Sequence, residues 1–324
     1  MTSRHIFIDG EAGTTGLQIA ERLAARDDLT LIRLDAAHRK DPDARREALN
    51  RADVTILCLP DDAAREAVAL VDNPHTRIID ASTAHRTAPH WAYGFPEYGP
   101  GQRERLLAAT RISNPGCYAL AAVALLHPLV AAGLLPPDWA VSINAISGYS
   151  GGGKALIEAF EDPASPQAVS STVYDYALGL THKHQPEITH WAGLEHPPIF
   201  LPAVGRYYKG MLVHVPLALW ALPAQPTPRD LHEAYRAHYV GEQFVSVADF
   251  DFAASQNRID PEALNGTNSL RLHVLHDTAQ NQAVVVGQLD NLGKGASGQA
   301  VQTLNLLIGA AEATGLQSHQ GTSA

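Results

Sequence analysis

His5-Ile6-Phe7-Ile8-Asp9 runs without a break into Gly10-Glu11-Ala12-Gly13-Thr14-Thr15-Gly16, and an apolar helical pattern follows at Leu17, Ile19, Ala20 and Leu23. Few folds accept a short strand, a glycine-rich turn and a helix in immediate succession. The arrangement suits a doubly wound sheet, in which the turn returns a helix N-terminus over the end of the strand. Glycines at such a turn let the backbone approach a pyrophosphate, and the helix start supplies N–H donors. The spacing is G-x-x-G-x-x-G rather than the commoner G-x-G-x-x-G, and a plain β–α turn is the competing reading. Gly10, Gly13, Thr14, Thr15 and Gly16 are therefore candidate dinucleotide contacts.

The pattern continues in kind. Strands are expected at residues 29–34, 53–59 and 77–80, with a helix at 61–71, an alternation that implies a parallel sheet with right-handed crossovers. Asp35, at the end of the second strand, suits a ribose 2′-hydroxyl, whereas Arg39 and Lys40 suit a 2′-phosphate. The residues alone leave that choice open. Asp80-Ala81-Ser82-Thr83-Ala84-His85-Arg86 then forms a polar loop at the carboxyl edge of the sheet, where Ser82 and Arg86 are placed to hold an anion or simply to be solvated. Residues 93–106, rich in Gly and Pro, are expected to be connecting structure.

The second constraint is Ile112-Ser113-Asn114-Pro115-Gly116-Cys117-Tyr118-Ala119. Pro115 and Gly116 force a turn, and an Ala/Val/Leu helix is expected over residues 119–130. Cys117 falls at that helix start, where unpaired N–H groups and the positive pole favour thiolate. An isolated cysteine is usually a small buried hydrophobe, but the turn-and-helix context favours a nucleophile. Cys58, inside the third strand, is a core residue by the same reasoning.

Beyond this helix the texture changes. A strand at 140–146 leads into Ser147-Gly148-Tyr149-Ser150-Gly151-Gly152-Gly153-Lys154, a flexible loop whose Ser150 and Lys154 suit phosphate or carboxylate. It lacks Walker spacing, and a mobile linker is the alternative. In Thr181-His182-Lys183-His184-Gln185-Pro186-Glu187-Ile188, Pro186 suits a first helical position, which puts His184 just before a helix start, as fits a neutral acid/base imidazole. No third ligand is spaced to make the two histidines a metal site. Lys209 lies beside the start of a long strand at 211–222, and further strands at 244–248, 270–275 and 283–288 surround a helix at 229–239. A second domain on a mostly antiparallel or mixed sheet follows, of a kind that often serves as a dimer surface. Residues 290–300 open a last helix running through Ala311, with Ala300, Leu304, Leu307 and Ala311 on one face, expected to return to the first domain.

Composition narrows the partners. The 324 residues carry a net charge of -10, which argues against nucleic acid or an anionic membrane but permits a small anionic substrate. Two cysteines make no disulfide framework, so a reducing, cytoplasmic setting is expected. No apolar run reaches membrane-spanning length and no signal core opens the chain. Residues 317–324 are polar and expected to fray.

Together the glycine loop, Ser113-Asn114-Pro115-Gly116-Cys117-Tyr118, His182-Lys183-His184-Gln185-Pro186-Glu187-Ile188 and Lys294-Gly295-Ala296-Ser297-Gly298-Gln299-Ala300 identify a resemblance. The chain resembles the semialdehyde dehydrogenase family, and within it the shorter type of N-acetyl-γ-glutamyl-phosphate reductase. The resemblance implies NADPH-dependent reduction of an acyl phosphate with release of phosphate, a homodimer or homotetramer, and NADP rather than NAD. It places the nucleophile on Cys117 and the acid/base on His184, with His182 a near neighbour. It also implies an NADP-binding domain over residues 1–115, completed by the helix at 297–316, and a catalytic and oligomerisation domain over 116–296. Arg39, Ser82, Asn291 and Lys294 join the glycine loop as expected cofactor contacts. Arg86, Arg111, Asn114, Ser150, Lys154, Glu187 and Lys209 are the expected substrate contacts. Sister enzymes for aspartyl or carrier-linked aminoadipyl phosphate, and a non-catalytic NADP sensor, are the alternatives.

Overall fold

Alternating side chains decide the first sheet. In the computed structural model, which describes residues 3–319, Ile6 and Ile8 of β1 (Arg4–Asp9) face one hydrophobic core while Phe7 faces another. The same alternation runs through β3 (Val54–Leu57) and β4 (Arg77–Asp80), whose Ile79 and Ile78 point to opposite cores. A strand buried on both faces needs helices on both. They are α1 (Thr14–Leu23) on one side, and α2 (Pro42–Arg51) and α3 (Asp61–Ala69) on the other. With β2 (Leu29–Ile32), β5 (Ala92–Tyr93) and β6 (Arg111–Ser113) the sheet has the all-parallel order β2-β1-β3-β4-β6-β5. The stretch expected to be mere connection carries β5 and a helix, α4 (Gln102–Ala108), because Leu106 is an apolar anchor that such a short helix can bury.

The chain divides into two compact units, Met1–Gly116 with Ala296–Leu316, and Cys117–Gly295 with Gln317–Ala324. In the second, α5 (Cys117–Ala131), β7 (Ser142–Gly148), α6 (Gly153–Glu161), β8 (Val173–Asp175), α7 (Gln185–Ala192), β9 (Ile199–Gly205) and β10 (Met211–Ala218) come first. They are followed by α8 (Pro228–His238), β11 (Val245–Val247), α9 (Phe252–Ser255), β12 (Leu270–Asp277) and β13 (Gln282–Leu289). The seven strands form a mixed sheet, β11-β12-β13-β10-β7-β9-β8. Its inner face carries Val213, Val215, Val285 and Leu272 and packs on α5, where Gly287 lets the helix approach so closely that a Cβ would lie 3.3 Å from the Ala121 methyl. The outer face, with Asn144, His214, Pro216, Val284 and Leu275, keeps partial exposure.

The expected flexible loop at 147–154 is instead a 3₁₀ turn running straight into α6, so Lys154 stands in the first turn of a helix. The long strand ends at Ala218, and the last helix, α10 (Gly298–Ile308), stops before Ala311 because Gly309 adopts φ +75 and closes it. Within the first unit Ala300, Val301 and Leu304 of α10 share the core of α1 and β1. Gln317 and His319, expected to fray, are tied down: Asn268 donates its N–H to the Gln317 carbonyl at 2.7 Å, and the His319 N–H donates to Ser269 Oγ at 2.8 Å. The rest of that expectation falls on residues 320–324, outside the described residues.

Pro128 inside α5 has no N–H, so the Ala124 carbonyl loses its helical donor. Tyr239, which caps α8, repairs the gap, and Tyr235 bonds the next carbonyl. Tyr239 Oη donates to the Ala124 carbonyl at 2.8 Å and Tyr235 Oη to Leu125 at 2.7 Å. Tyr239→Phe is expected to lower stability by about 1–3 kcal/mol in chemical denaturation, the cost of a buried acceptor left unpaired. In a Pro128→Ala background, where the helix regains its donor, the same change should cost less.

Candidate active site

Each glycine of the first loop meets a distinct steric demand. Gly10 has φ +87, and a Cβ on it would lie 2.3 Å from the Cys58 carbonyl oxygen. Gly13 donates its N–H to Gly10 at 2.9 Å and forms the N-cap of α1 with no side-chain cap. A Cβ on Gly16 would lie 2.5 Å from Gly10 O. The backbone cradle is thus held open against the strand, with the first N–H groups of α1, at Thr14 and Thr15, uncapped by any side chain and no acid in its first turn. These residues fit a dinucleotide pyrophosphate. The nearly buried Asp9, just before the loop, is neutralised by Arg45 at 2.8 Å.

At the carboxyl edge of β4 and β6 the structure brings Ser82, Arg86 and Asn114 together. Asp80 is fully buried and accepts from the Ser82 N–H at 2.9 Å, from Ser82 Oγ at 2.7 Å and from His85 Nδ1 at 2.6 Å. Arg86 is buried as well; its Nε donates to the Asn114 carbonyl and its Nη2 to Ala81, both at 3.1 Å. Asn114 donates its Nδ2 to the Ala296 carbonyl at 3.1 Å. Arg86 therefore grips the loop backbone. Arg111 does not join this group. It begins β6, and its Nη1 donates to the carbonyls of Thr76 and Thr110 at the opposite edge of the sheet. Arg39 sits on an exposed loop with its Nε 3.4 Å from the Leu34 carbonyl.

In the second unit, Cys117 is the first residue of α5 and keeps partial exposure while every other residue from 112 to 126 is buried. Gly295 lies against it; a Cβ there would come within 2.8 Å of the Cys117 Cβ. Gly295 donates its N–H to Asp290 O at 3.0 Å, which ties the cysteine to a polar cluster. Lys209 Nζ lies 3.2 Å from the buried Asp290 carboxylate, Asn291 Nδ2 donates to Ser150 Oγ at 3.1 Å, and the Gly210 N–H donates to Asn291 Oδ1 at 2.8 Å. Ser150 and Lys209 thus share a neighbourhood. Two of the expected cofactor contacts lie in this neighbourhood. Asn291 spends its amide on this cluster, and Lys294 is fully buried, 5.5 Å from the centre of the Phe244 ring. Lys154 remains exposed.

His184 occupies the N-cap of α7, and Glu187 is buried in the first turn of that helix. The two histidines are not equivalent. His182 Nδ1 accepts the His184 backbone N–H at 3.1 Å, so in the neutral ring Nε2 carries the proton and faces Tyr176 Oη at 3.3 Å. Tyr118 Oη donates to the Ala203 carbonyl at 3.3 Å. Burial first, and then neighbouring negative charge including that of Cys117, holds both phenols above their ordinary range, Tyr176 at about 12. The rings of Tyr118 and His184 are 5.9 Å apart, so the residue after the cysteine touches the histidine end of the site. Tyr176 and Asp290 escape sequence reasoning: Tyr176 lies in no motif, and Asp290 is marked only by its place before Asn291.

A family model described as the semialdehyde dehydrogenase dimerisation domain matches residues 117–291, and one described as the semialdehyde dehydrogenase NAD binding domain matches residues 33–106. The chain is 51% identical over 310 residues to a Pseudomonas putida protein named N-acetyl-gamma-glutamyl-phosphate reductase 2, covering 96% of this chain and 98% of that one. It is 49% identical to a Nostoc protein of the same name, covering 98% and 100%. Among solved structures, aspartate semialdehyde dehydrogenase II from Vibrio cholerae has a TM-score of 0.68 at 16% identity, covering 95% of this chain and 99% of that one. The Candida albicans aspartate semialdehyde dehydrogenase with NADP has a TM-score of 0.66 at 15% identity, with the same coverage. These two likenesses concern the fold.

The two thiols should respond differently to alkylation. Burial, aided by the charges of Asp80 and Asp9, pushes the Cys58 thiol up to about 12, so it stays protonated at pH 8. Iodoacetamide on the native protein should add one equivalent, at Cys117, with Cys58 reacting only after unfolding; peptide mass spectrometry reads the site.

Proposed function

The chain belongs to the semialdehyde dehydrogenase family of oxidoreductases, and from that premise we propose that it reduces N-acetyl-γ-glutamyl phosphate to N-acetylglutamate 5-semialdehyde, releasing phosphate, in arginine biosynthesis. The observation that carries the chemistry is a partly exposed cysteine at the N-terminus of a helix whose next nine residues are all buried. The names of the relatives support the substrate.

Cys117 thiolate attacks the acyl carbon, and the first N–H groups of α5 stabilise the oxyanion. The C–O bond to phosphate breaks and a thioester forms. NADPH, held at Gly10, Gly13, Thr14, Thr15 and Gly16, with Arg39 and Ser82 in the same unit, supplies a hydride when bound. His184 protonates the resulting thiohemiacetal oxygen, then takes that proton back as the C–S bond breaks and the aldehyde leaves. Both ring nitrogens of His182 are engaged, one by a backbone N–H and one by a tyrosine, which supports His184 for this step. Ser150 and Lys209 suit the anionic groups of the substrate, Lys209 with its charge tempered by Asp290. Lys154 and Glu187 stand at helix starts in the same unit. Arg86 and Asn114 act by shaping the loop that leads to the cysteine. Self-association through the outer face of the second sheet is part of this proposal, as is a cytoplasmic setting.

The test is NADP⁺ reduction by N-acetylglutamate semialdehyde, with and without inorganic phosphate. Turnover that needs phosphate supports the proposal; phosphate-independent oxidation, or preference for aspartate semialdehyde, overturns it. Cys117→Ala should abolish turnover. His184→Asn should lower kcat by ~10²–10⁴-fold, as loss of a proton-transfer group does, and His182→Asn should cost less.

A further inference from the structure

We infer that Arg33 and Glu11 together set the choice between a 2′-phosphorylated and an unphosphorylated dinucleotide, an inference that rests on the dinucleotide reading of the glycine loop. Phe7 pairs with Ile32 in the parallel ladder, so Arg33 is the first residue past β2 and lies beside the last residues of β1, next to the loop. In doubly wound sheets the adenosine ribose is read at this strand end, by an acid for a free 2′-hydroxyl or by an arginine for a 2′-phosphate.

Asp35 is a poor reader of ribose here, because its carboxylate is occupied locally. Its Oδ1 accepts from the Ala37 and His38 N–H groups, both at 3.0 Å, and from His38 Nδ1 at 2.8 Å. Those bonds, the His38 side chain's first, hold it below the usual carboxylate range. It shapes the turn at 35–39.

Arg33 has a different neighbour. Its Nε lies 3.6 Å from Glu11 Oε1, with both side chains solvent-accessible. Glu11 is the only acid in the loop from Gly10 to Gly16. Its backbone is fixed, since a Cβ on Gly16 would come within 2.8 Å of the Glu11 Cα. A carboxylate thus rests on the guanidinium that a 2′-phosphate needs. An exposed pair of this kind is weak, whereas a phosphate dianion on a planar guanidinium makes two charge-assisted hydrogen bonds. The phosphate therefore displaces Glu11 and meets its residual repulsion, while a free 2′-hydroxyl finds in Glu11 an acceptor. Arg33 draws in the phosphorylated form and Glu11 moderates the preference.

Titration calorimetry with adenosine 2′,5′-bisphosphate and adenosine 5′-monophosphate isolates this end of the site from catalysis, with NADPH and NADH run alongside. Arg33→Ala should weaken the bisphosphate by ~10–100-fold, the scale of charged hydrogen bonds lost, and leave the monophosphate within about twofold. Arg33→Lys should fall between, having charge without the fork. Glu11→Gln should tighten the bisphosphate by up to about fivefold, the scale of one exposed ion pair. If Arg33→Ala leaves the ratio of the two affinities unchanged, or if Arg39→Ala removes it and Arg33→Ala does not, the inference is wrong. Wild-type protein that binds neither NADPH nor NADH removes the dinucleotide reading, and this inference falls with it.

Discussion

Helix α5 must be covered on every side. From Tyr118 to Leu126 it has no polar face, and each of those residues is buried. Such a helix cannot lie on a surface; it needs a sheet on one side and helices on the others. The inner face of the mixed sheet supplies the first, thinned at Gly287 so that Ala121 and Leu125 come close. The C-terminal end of α8 and its cap supply two tyrosine hydroxyls, Tyr239 to the Ala124 carbonyl left by Pro128 and Tyr235 to the neighbouring Leu125 carbonyl. With its flanks sealed, this helix meets solvent only at its two ends, at Cys117 and again at His127, Val130 and Ala131. The thiol is therefore the accessible group at the N-terminal end, and the nine residues after it are buried.

A second regularity concerns charge. Asp9, Asp80 and Asp290 are buried acids at strand ends, and each has a basic partner: Arg45, His85 and Lys209. A buried carboxylate without compensation is costly, so in a chain of net charge -10 many bases are already committed to the protein itself. Some cations of the sequence motifs also have partners within the protein, Arg86 and Arg111 on backbone carbonyls and Lys294 beside the Phe244 ring. Position along a strand decides the matter. Arg111 lies three residues before Asn114, yet it serves the opposite edge of its sheet.

The first sheet was legible because strands buried on both faces appear as short, unbroken apolar runs between helical patterns, as at Ile6–Ile8 and Val54–Leu57. Strands β8 and β9 were not. β8 is a three-residue edge strand with exposed ends, and β9 carries Pro202 in its middle, which in sequence argues against a strand. The pairing of β9 with β7 in parallel, seven residues in register, overrides that local signal. At the candidate site, the helix starts at Cys117 and His184 were legible because turn chemistry, Pro-Gly before one and Pro186 after the other, marks them. Tyr176 and Asp290 were not, because they act through contacts whose partners lie far away in the chain. Lys154 reads as a loop residue in sequence because three glycines precede it, although the helix begins at the last of them.

The helix starts at the candidate site share one physical property. Helices α2 and α8 begin with side-chain caps, Asp41 on two N–H groups and Thr227 in a reciprocal box with Asp230. Each cap is typically worth about 1 kcal/mol. Helix α1 begins at Gly13 and α7 at His184, neither with a side-chain cap, and α5 follows Gly116, which has no side chain to offer. A cap would satisfy the very N–H groups that an incoming anion or oxyanion requires. Without a side-chain cap, these three starts forgo that stability. An open start is not sufficient, since α3 and α10 also lack side-chain caps. What distinguishes α1 is a glycine cradle built against a strand end. What distinguishes α5 and α7 is that their first turns meet through Tyr118 and His184, which brings a thiol and an imidazole to two adjacent positive poles.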